Sequence, residues 1–282
     1  MGVARRIPRL GLLAALLLLA ACTGDTGQKQ SVLIPEQQVP GSRVPDRPLT
    51  AVLVTPDGPG PFPVVILLHG CSGLSGNETF WADRLRRWGY ASLIPDSFDP
   101  RWVTKVCMSQ SLVTAGDRAA DVLSAALTLR ALPAIDGARI AVMGFSHGGW
   151  SAAWMTRREY EVLYPGLLAA SVDYYGPCGS AAVHGTVPLL ALAGEADSGG
   201  KPWPAVSCRD FGNALQPDQP FELHTYPGVV HAFDDPVGMM RRYNFWQGGR
   251  YSSQYDPAAA TDSFARVHAF PDKWVRNKAA AD

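Results

Sequence analysis

The sequence predicts an α/β fold built on a mostly parallel central sheet with helices on both faces. Three observations predict it. From Leu49 onward, short apolar runs of strand character alternate with helical stretches, the pattern of parallel strands joined by helical crossovers. One of these runs, Pro63 to His69 (Pro-Val-Val-Ile-Leu-Leu-His), has no polar residue before its last position, as expected of a strand covered on both faces. The third is the stretch from Ile140 to Trp150, where strand residues lead into Gly144-Phe145-Ser146-His147-Gly148. That G-x-S-x-G pattern fits a strained strand-to-helix turn that lifts a serine hydroxyl away from the sheet.

The first 21 residues stand outside the fold. Arg5, Arg6 and Arg9 form a positive n-region, and Leu10 to Ala20 is an apolar stretch too short to span a bilayer comfortably, the build of a secretory signal. Its end, Leu19-Ala20-Ala21-Cys22, resembles a bacterial lipobox, in which the cysteine is lipidated and becomes the mature N-terminus. The alternative is an ordinary small-residue cleavage site. Two acyl chains on Cys22 would satisfy what stable anchoring requires. The expectation is an exported bacterial lipoprotein, on the periplasmic or cell-surface side, that meets the membrane only through its N-terminal lipid. Residues 22–48, rich in Thr, Gly, Gln, Ser and Pro, read as a tether with one short edge strand, Ser31 to Pro35. Residues 49–282 form the folded domain.

Basic and acidic residues number 25 each in the full chain, and removal of the three leader arginines leaves a net charge of −3. A near-neutral chain without basic runs argues against nucleic-acid binding. The elements then follow in order. Thr50 to Thr55 is a strand, and Pro56 to Pro61 a turn. After the buried strand 63–69, Asn77 caps a helix to Trp88, where Gly89 stops it. Tyr90 to Pro95 is a strand, and Thr114 or Gly116 opens a helix to Leu132. Ala138 to Phe145 carries the turn, with a helix from Ser151 to Arg158 after it. Ala169 to Tyr175, Pro188 to Ala193 and Phe221 to Tyr226 are strands, Ala205 to Leu215 is a helix between the last two, and a helix from Pro257 to Phe270 closes the chain.

A serine becomes a nucleophile only when a base takes its proton, and the base needs an acid partner to fix its tautomer. The strand Pro188 to Ala193 is followed by Gly194-Glu195-Ala196-Asp197, and Phe221 to Tyr226 by Pro227-Gly228-Val229-Val230-His231. Ser146, Asp197 and His231 thus fall at strand ends, where such sheets build their sites. Glu195 is the rival acid, and Asp173 lies mid-strand. His69, His147, His184, His224 and His268 read as locally bonded or surface residues. The amides of His147, after the nucleophile, and Cys71, in the loop His69-Gly70-Cys71-Ser72-Gly73, are the expected oxyanion donors.

These residues carry a resemblance. The chain from Thr50 to Phe270 is similar to the dienelactone hydrolase family of the α/β-hydrolase fold. The matching segments are 63–70, Pro95-Asp96-Ser97-Phe98, 144–149, Tyr174-Tyr175-Gly176, Gly194-Glu195-Ala196-Asp197 and His231-Ala232-Phe233. The resemblance implies hydrolysis of a small-molecule ester or lactone, with triad roles for Ser146, Asp197 and His231. Ser146 stands where the namesake enzymes have cysteine, so their dienelactone specificity does not carry over. A peptidase of the same fold and a non-catalytic surface lipoprotein are the alternatives. Neither C-x-x-C spacing nor a phosphate loop is present, and no cofactor or metal is expected. Arg101 and Trp102 read as solvated loop residues rather than pocket walls. With Cys22 committed to lipid, Cys71, Cys107, Cys178 and Cys208 favour two disulfides in an oxidising compartment. Of the three pairings, Cys71–Cys107 and Cys178–Cys208 are expected, each joining loops at the same ends of neighbouring strands.

Overall fold

A computed structural model describes residues 28–39, 42–43, 45, 47–197, 203–238, 242–246 and 249–276. The leader and Cys22 lie outside the described residues. The strands are β1 (Gln28–Ile34), β2 (Leu49–Thr55), β3 (Phe62–Leu68), β4 (Ala91–Pro95), β5 (Ile135–Phe145), β6 (Ala170–Tyr174), β7 (Leu189–Gly194) and β8 (Phe221–Tyr226). The helices are α1 (Gly76–Arg87), α2 (Ala115–Arg130), α3 (His147–Trp154), α4 (Arg158–Leu163), α5 (Trp203–Ala214) and α6 (Pro257–Pro271). A hairpin that sequence reading did not predict, β9 (Arg242–Trp246) with β10 (Gly249–Ser253), precedes α6.

The sheet runs in the order β1-β2-β4-β3-β5-β6-β7-β8. Only β1–β2 and β2–β4 pair antiparallel; every pairing from β4 to β8 is parallel. Because β3 has β4 on one side and β5 on the other, the chain reverses its direction of travel at β3. Ligands in such sheets bind in the crevice beyond the strand C-termini at that reversal. The apolar run of β3 is explained by its two covered faces. Val64, Ile66 and Leu68 join a core under α2 and α3, whereas Val65 and Leu67 join one with Trp81 and Leu85 of α1 and Phe264 and Val267 of α6. Among the described residues no helix is long and apolar enough to cross a membrane.

The structure corrects several expectations. The edge strand expected at Ser31 to Pro35 is present but longer, Gln28–Ile34, and further described residues of the stretch read as a tether pack on the domain. There β1 pairs with β2 over seven residues, Ile34 and Val39 are buried, and Arg43 Nη2 reaches Asp117 Oδ2 at 2.6 Å. Its polar composition follows from its edge position, where most of its side chains face water. The cap of α1 is Ser75, whose hydroxyl and Glu78 form a reciprocal capping box. Asn77 instead turns inward and donates to Asp234 Oδ2 at 3.2 Å. The helix expected at 151–158 begins at His147, directly on the turn, and ends at Trp154 before α4 starts. Arg101 is no solvated loop residue. Its Nη2 and Nη1 meet the buried Asp121 carboxylate at 2.6 and 3.0 Å, and Nη1 also donates to the Ser97 carbonyl at 2.7 Å. Trp102 beside it is 71% exposed, with the Arg47 guanidinium 4.0 Å from its ring centre.

Removing one partner of a buried ion pair strands the other charge, at about 3–5 kcal/mol. Asp121→Ala should therefore lower unfolding stability by roughly that amount in a urea titration. A midpoint equal to wild type would show that the pair does not hold the β4 loop to α2.

Candidate active site

Ser146 sits between β5 and α3 with φ 59° and ψ −114°, a conformation that non-glycine residues rarely adopt. The crowding around it explains why it is held. A Cβ placed on Gly144 would lie 2.0 Å from the Gly148 carbonyl oxygen, and one on Gly148 would lie 2.2 Å from that of Leu68. Strand and helix thus cross with their backbones touching, and no side chain fits between them. Two hydrogen bonds complete the turn: Ser146 N–H donates to the Tyr174 carbonyl at 2.8 Å, and Trp150 N–H to the Ser146 carbonyl at 2.9 Å.

The loops after β7 and β8 are stitched together by Glu195 N–H to Tyr226 O (3.0 Å) and Ala196 N–H to Val229 O (2.9 Å). That stitching brings Asp197 beside His231, and Nδ1–H of His231 donates to Asp197 Oδ2 over 2.6 Å. Both side chains are buried. With the Nδ1 proton committed to the carboxylate, Nε2 is left with the lone pair, the form a base requires. Ser146 and His231 share a neighbour in the Tyr174-Tyr175 segment. Tyr174 accepts the Ser146 amide, and the Tyr175 ring lies 4.4 Å, centre to centre, from the His231 imidazole. Tyr175 is itself fixed, its hydroxyl donating to Asp234 Oδ1 at 2.6 Å, while Trp81 Nε1–H donates to Asp234 Oδ2 at 2.7 Å. Sequence reading missed this buried carboxylate and its donors. No local pattern joins Asp234 to Trp81 and Asn77, which lie 153 and 157 residues away.

On the other side of Ser146 lies the loop after β3. A Cβ on Gly70 would be 3.8 Å from that of Ser146. Buried His69 takes Ser97 N–H on Nε2 at 3.3 Å and donates from Nδ1 to the Gly70 carbonyl at 2.8 Å. In a trans peptide the carbonyl and the next N–H point in opposite directions, so pinning Gly70 O turns the Cys71 N–H away from His69. Val106 N–H donates to Cys71 O at 2.8 Å, and the Cys71–Cys107 disulfide closes the same loop. Among the described residues, neither the Cys71 nor the His147 amide donates to a backbone carbonyl. The second disulfide, Cys178–Cys208, joins the loop after β6 to helix α5, not two strand-end loops.

The rival groups are engaged elsewhere. Glu195 accepts from Thr225 Oγ1 at 2.7 Å and lies 3.7 Å from Arg209. His184 is buried against Thr156 Oγ1 at 2.7 Å, His224 meets Arg266, and His268 lies over Trp88 and near Asp272. Asp173 is buried beneath α3, accepting Gly176 N–H at 2.7 Å, with Cys178 Sγ 3.8 Å from its other oxygen. Those sulfurs are bonded to one another and so are not thiolate metal ligands. Burial raises the Asp173 carboxyl to about 7 from 3.8. Between those values the folded protein keeps a proton that the unfolded chain releases, so this contribution to stability is lost as pH rises from about 4 to 7. The loss is at most about 1.4 kcal/mol per pH unit. Wild type minus Asp173→Asn, measured by chemical denaturation, should fall across that window. A difference independent of pH would contradict the assignment.

The profile of the dienelactone hydrolase family matches residues 49–273. No curated protein sequence matches the chain. Among solved structures, the dienelactone hydrolase of Anabaena variabilis is similar at 18% identity and a TM-score of 0.62, over 89% of this chain and 99% of its own. A dienelactone hydrolase-like promiscuous phosphotriesterase from metagenomic libraries is 20% identical with a TM-score of 0.62, over 88% and 99%. Thermogutta terrifontis esterase 2, in a form phosphorylated by paraoxon, is 16% identical with a TM-score of 0.62, over 87% and 94%.

Proposed function

The chain belongs to the dienelactone hydrolase family, and we propose that it hydrolyses carboxylic esters or lactones through a Ser146–His231–Asp197 triad. Family membership supports a hydrolase acting on a small molecule. The observation that carries the finer reading is the 2.6 Å contact of His231 with Asp197 beside a serine raised on its strained turn. The Ser146 hydroxyl adds to the substrate carbonyl carbon as its proton passes to His231 Nε2. The oxygen that gains charge is received by the Cys71 and His147 amides. Collapse of the tetrahedral intermediate expels the alcohol, which takes the proton back from His231. Water then attacks the acyl-enzyme by the same route and frees Ser146.

Ser146→Ala should fold normally and lose about 10⁴-fold or more in ester turnover. Asp197→Asn should be far more damaging than Glu195→Gln, because Asp197 bonds the imidazole whereas Glu195 is engaged by Thr225. Near-wild-type turnover in Ser146→Ala would end the serine mechanism, and the reverse order of the two acid variants would move the acid to Glu195.

The mature protein is further proposed to be an exported lipoprotein anchored through Cys22, a reading supported by the sequence of the leader. Mass spectrometry of the mature N-terminus should find a diacylated Cys22. An unmodified N-terminus at another residue would rule the anchor out.

A further inference from the structure

Arg118 of α2 is fully buried, yet no carboxylate lies within hydrogen-bond distance of it among the described residues. Its Nη1 donates to the His69 carbonyl at 2.8 Å and to His147 Nδ1 at 3.0 Å. Its Nε and Nη2 have no hydrogen-bond partner among the described residues. A buried cation so sparsely partnered is costly, and such a group calls for an explanation beyond packing. Its two acceptors supply one. His69 begins the loop that ends in the Cys71 amide, and its ring pins the Gly70 carbonyl. His147 carries the other amide on its own backbone. One nitrogen in α2 therefore holds both sides of the place where the proposed oxyanion forms, across sequence separations of 49 and 29 residues.

We propose that Arg118 is a positioning residue that sets the two oxyanion donors relative to each other. The inference rests on the serine hydrolase reading above. The chemistry of the contact suits the role. A guanidinium only donates, so His147 Nδ1 must accept and the ring's proton must sit on Nε2. Burial and the charge of Arg118 hold His147 down at about 3, so the ring stays in that accepting form at neutral pH. Burial also lowers Arg118 itself, to about 10, and leaves it charged there. Lysine could not replace it equally, since the three hydrogens of an ammonium rotate freely, whereas the two Nη1 hydrogens of Arg118 lie fixed in the guanidinium plane toward the two acceptors.

The test uses the full-length protein with an activated p-nitrophenyl ester, a trifluoromethyl ketone and its methyl ketone counterpart. The fluorinated ketone is attacked by Ser146 to give a tetrahedral adduct with a charged oxygen, whereas the methyl ketone binds without forming it appreciably. In Arg118→Met, kcat should fall about 10²-fold, the scale of a lost oxyanion donor, with KM within roughly threefold. Affinity for the trifluoromethyl ketone should fall in proportion to kcat/KM, and that for the methyl ketone should hold. His147→Leu keeps the amide but removes the imidazole, and it should lower kcat as well. If both side chains act through one contact, the double variant should be little worse than Arg118→Met alone.

Unchanged kcat in a folded Arg118→Met, an equal loss of affinity for both ketones, or fully multiplicative effects of the two substitutions would each overturn the proposal. Should Arg118→Met fail to fold, Arg118→Lys is read by the same criteria. Failure of the underlying reading looks different: turnover by wild type would then survive Ser146→Ala, whatever Arg118 does.

Discussion

The backbone crossing of β5 and α3 is the constraint on which the rest depends. With a Cβ on Gly144 only 2.0 Å from Gly148 O, and one on Gly148 only 2.2 Å from Leu68 O, three chain segments meet with no room for side chains. Ser146 is left at φ 59°, a strain on the order of 1–3 kcal/mol that persists only where the surroundings over-determine it. Here they do: β5 is held by parallel neighbours on both sides, and the Ser146 amide is tied to Tyr174. The reversal of sheet order at β3 falls next to β5, and ligands in such sheets bind beyond the strand C-termini at that reversal.

Everything else at this end of the sheet is arranged relative to that fixed point. The loop after β3 is closed by a disulfide and by the bond from Val106 to Cys71. The loops after β7 and β8 are bound to each other, and Tyr175, anchored on Asp234, packs against His231. A hydrolytic site gains from such fixed geometry, because donors already aimed at the developing charge need not reorganise during the reaction. The buried polar groups nearby, His69 and Arg118 in particular, share this task of holding loops in register.

What could be read from the sequence was whatever is encoded locally. The strands around Val64, Val142 and Leu190 announced themselves as apolar runs because both of their faces are covered. Gly144 and Gly148 mark the turn because their contacts involve the turn itself and the strand beside it. Asp197 and His231 could be placed because each follows a recognisable strand end. The Cys71–Cys107 pairing was legible in the order of the loops, whereas Cys178 pairs with a cysteine of α5 and not of a strand-end loop. What escaped depends on distant partners or on position in the finished sheet. Lys29 and Gln30 look like tether residues because an edge strand keeps its side chains in water. Arg101 resembles any loop arginine until Asp121, one helix away, is folded beneath it. Asn77 has the composition of a cap, but Asp234 draws it inward from 157 residues away.

In the proposed reaction the oxygen held on this strained turn attacks the substrate. Treatment of the folded protein with a fluorophosphonate, with the adduct located by peptide mass spectrometry, shows whether it does. One adduct per chain is expected, on Ser146, and it should disappear on denaturation before treatment, because reactivity depends on the folded arrangement and not on the hydroxyl alone. An adduct on any other residue, or a folded protein left unlabelled, would contradict that reaction.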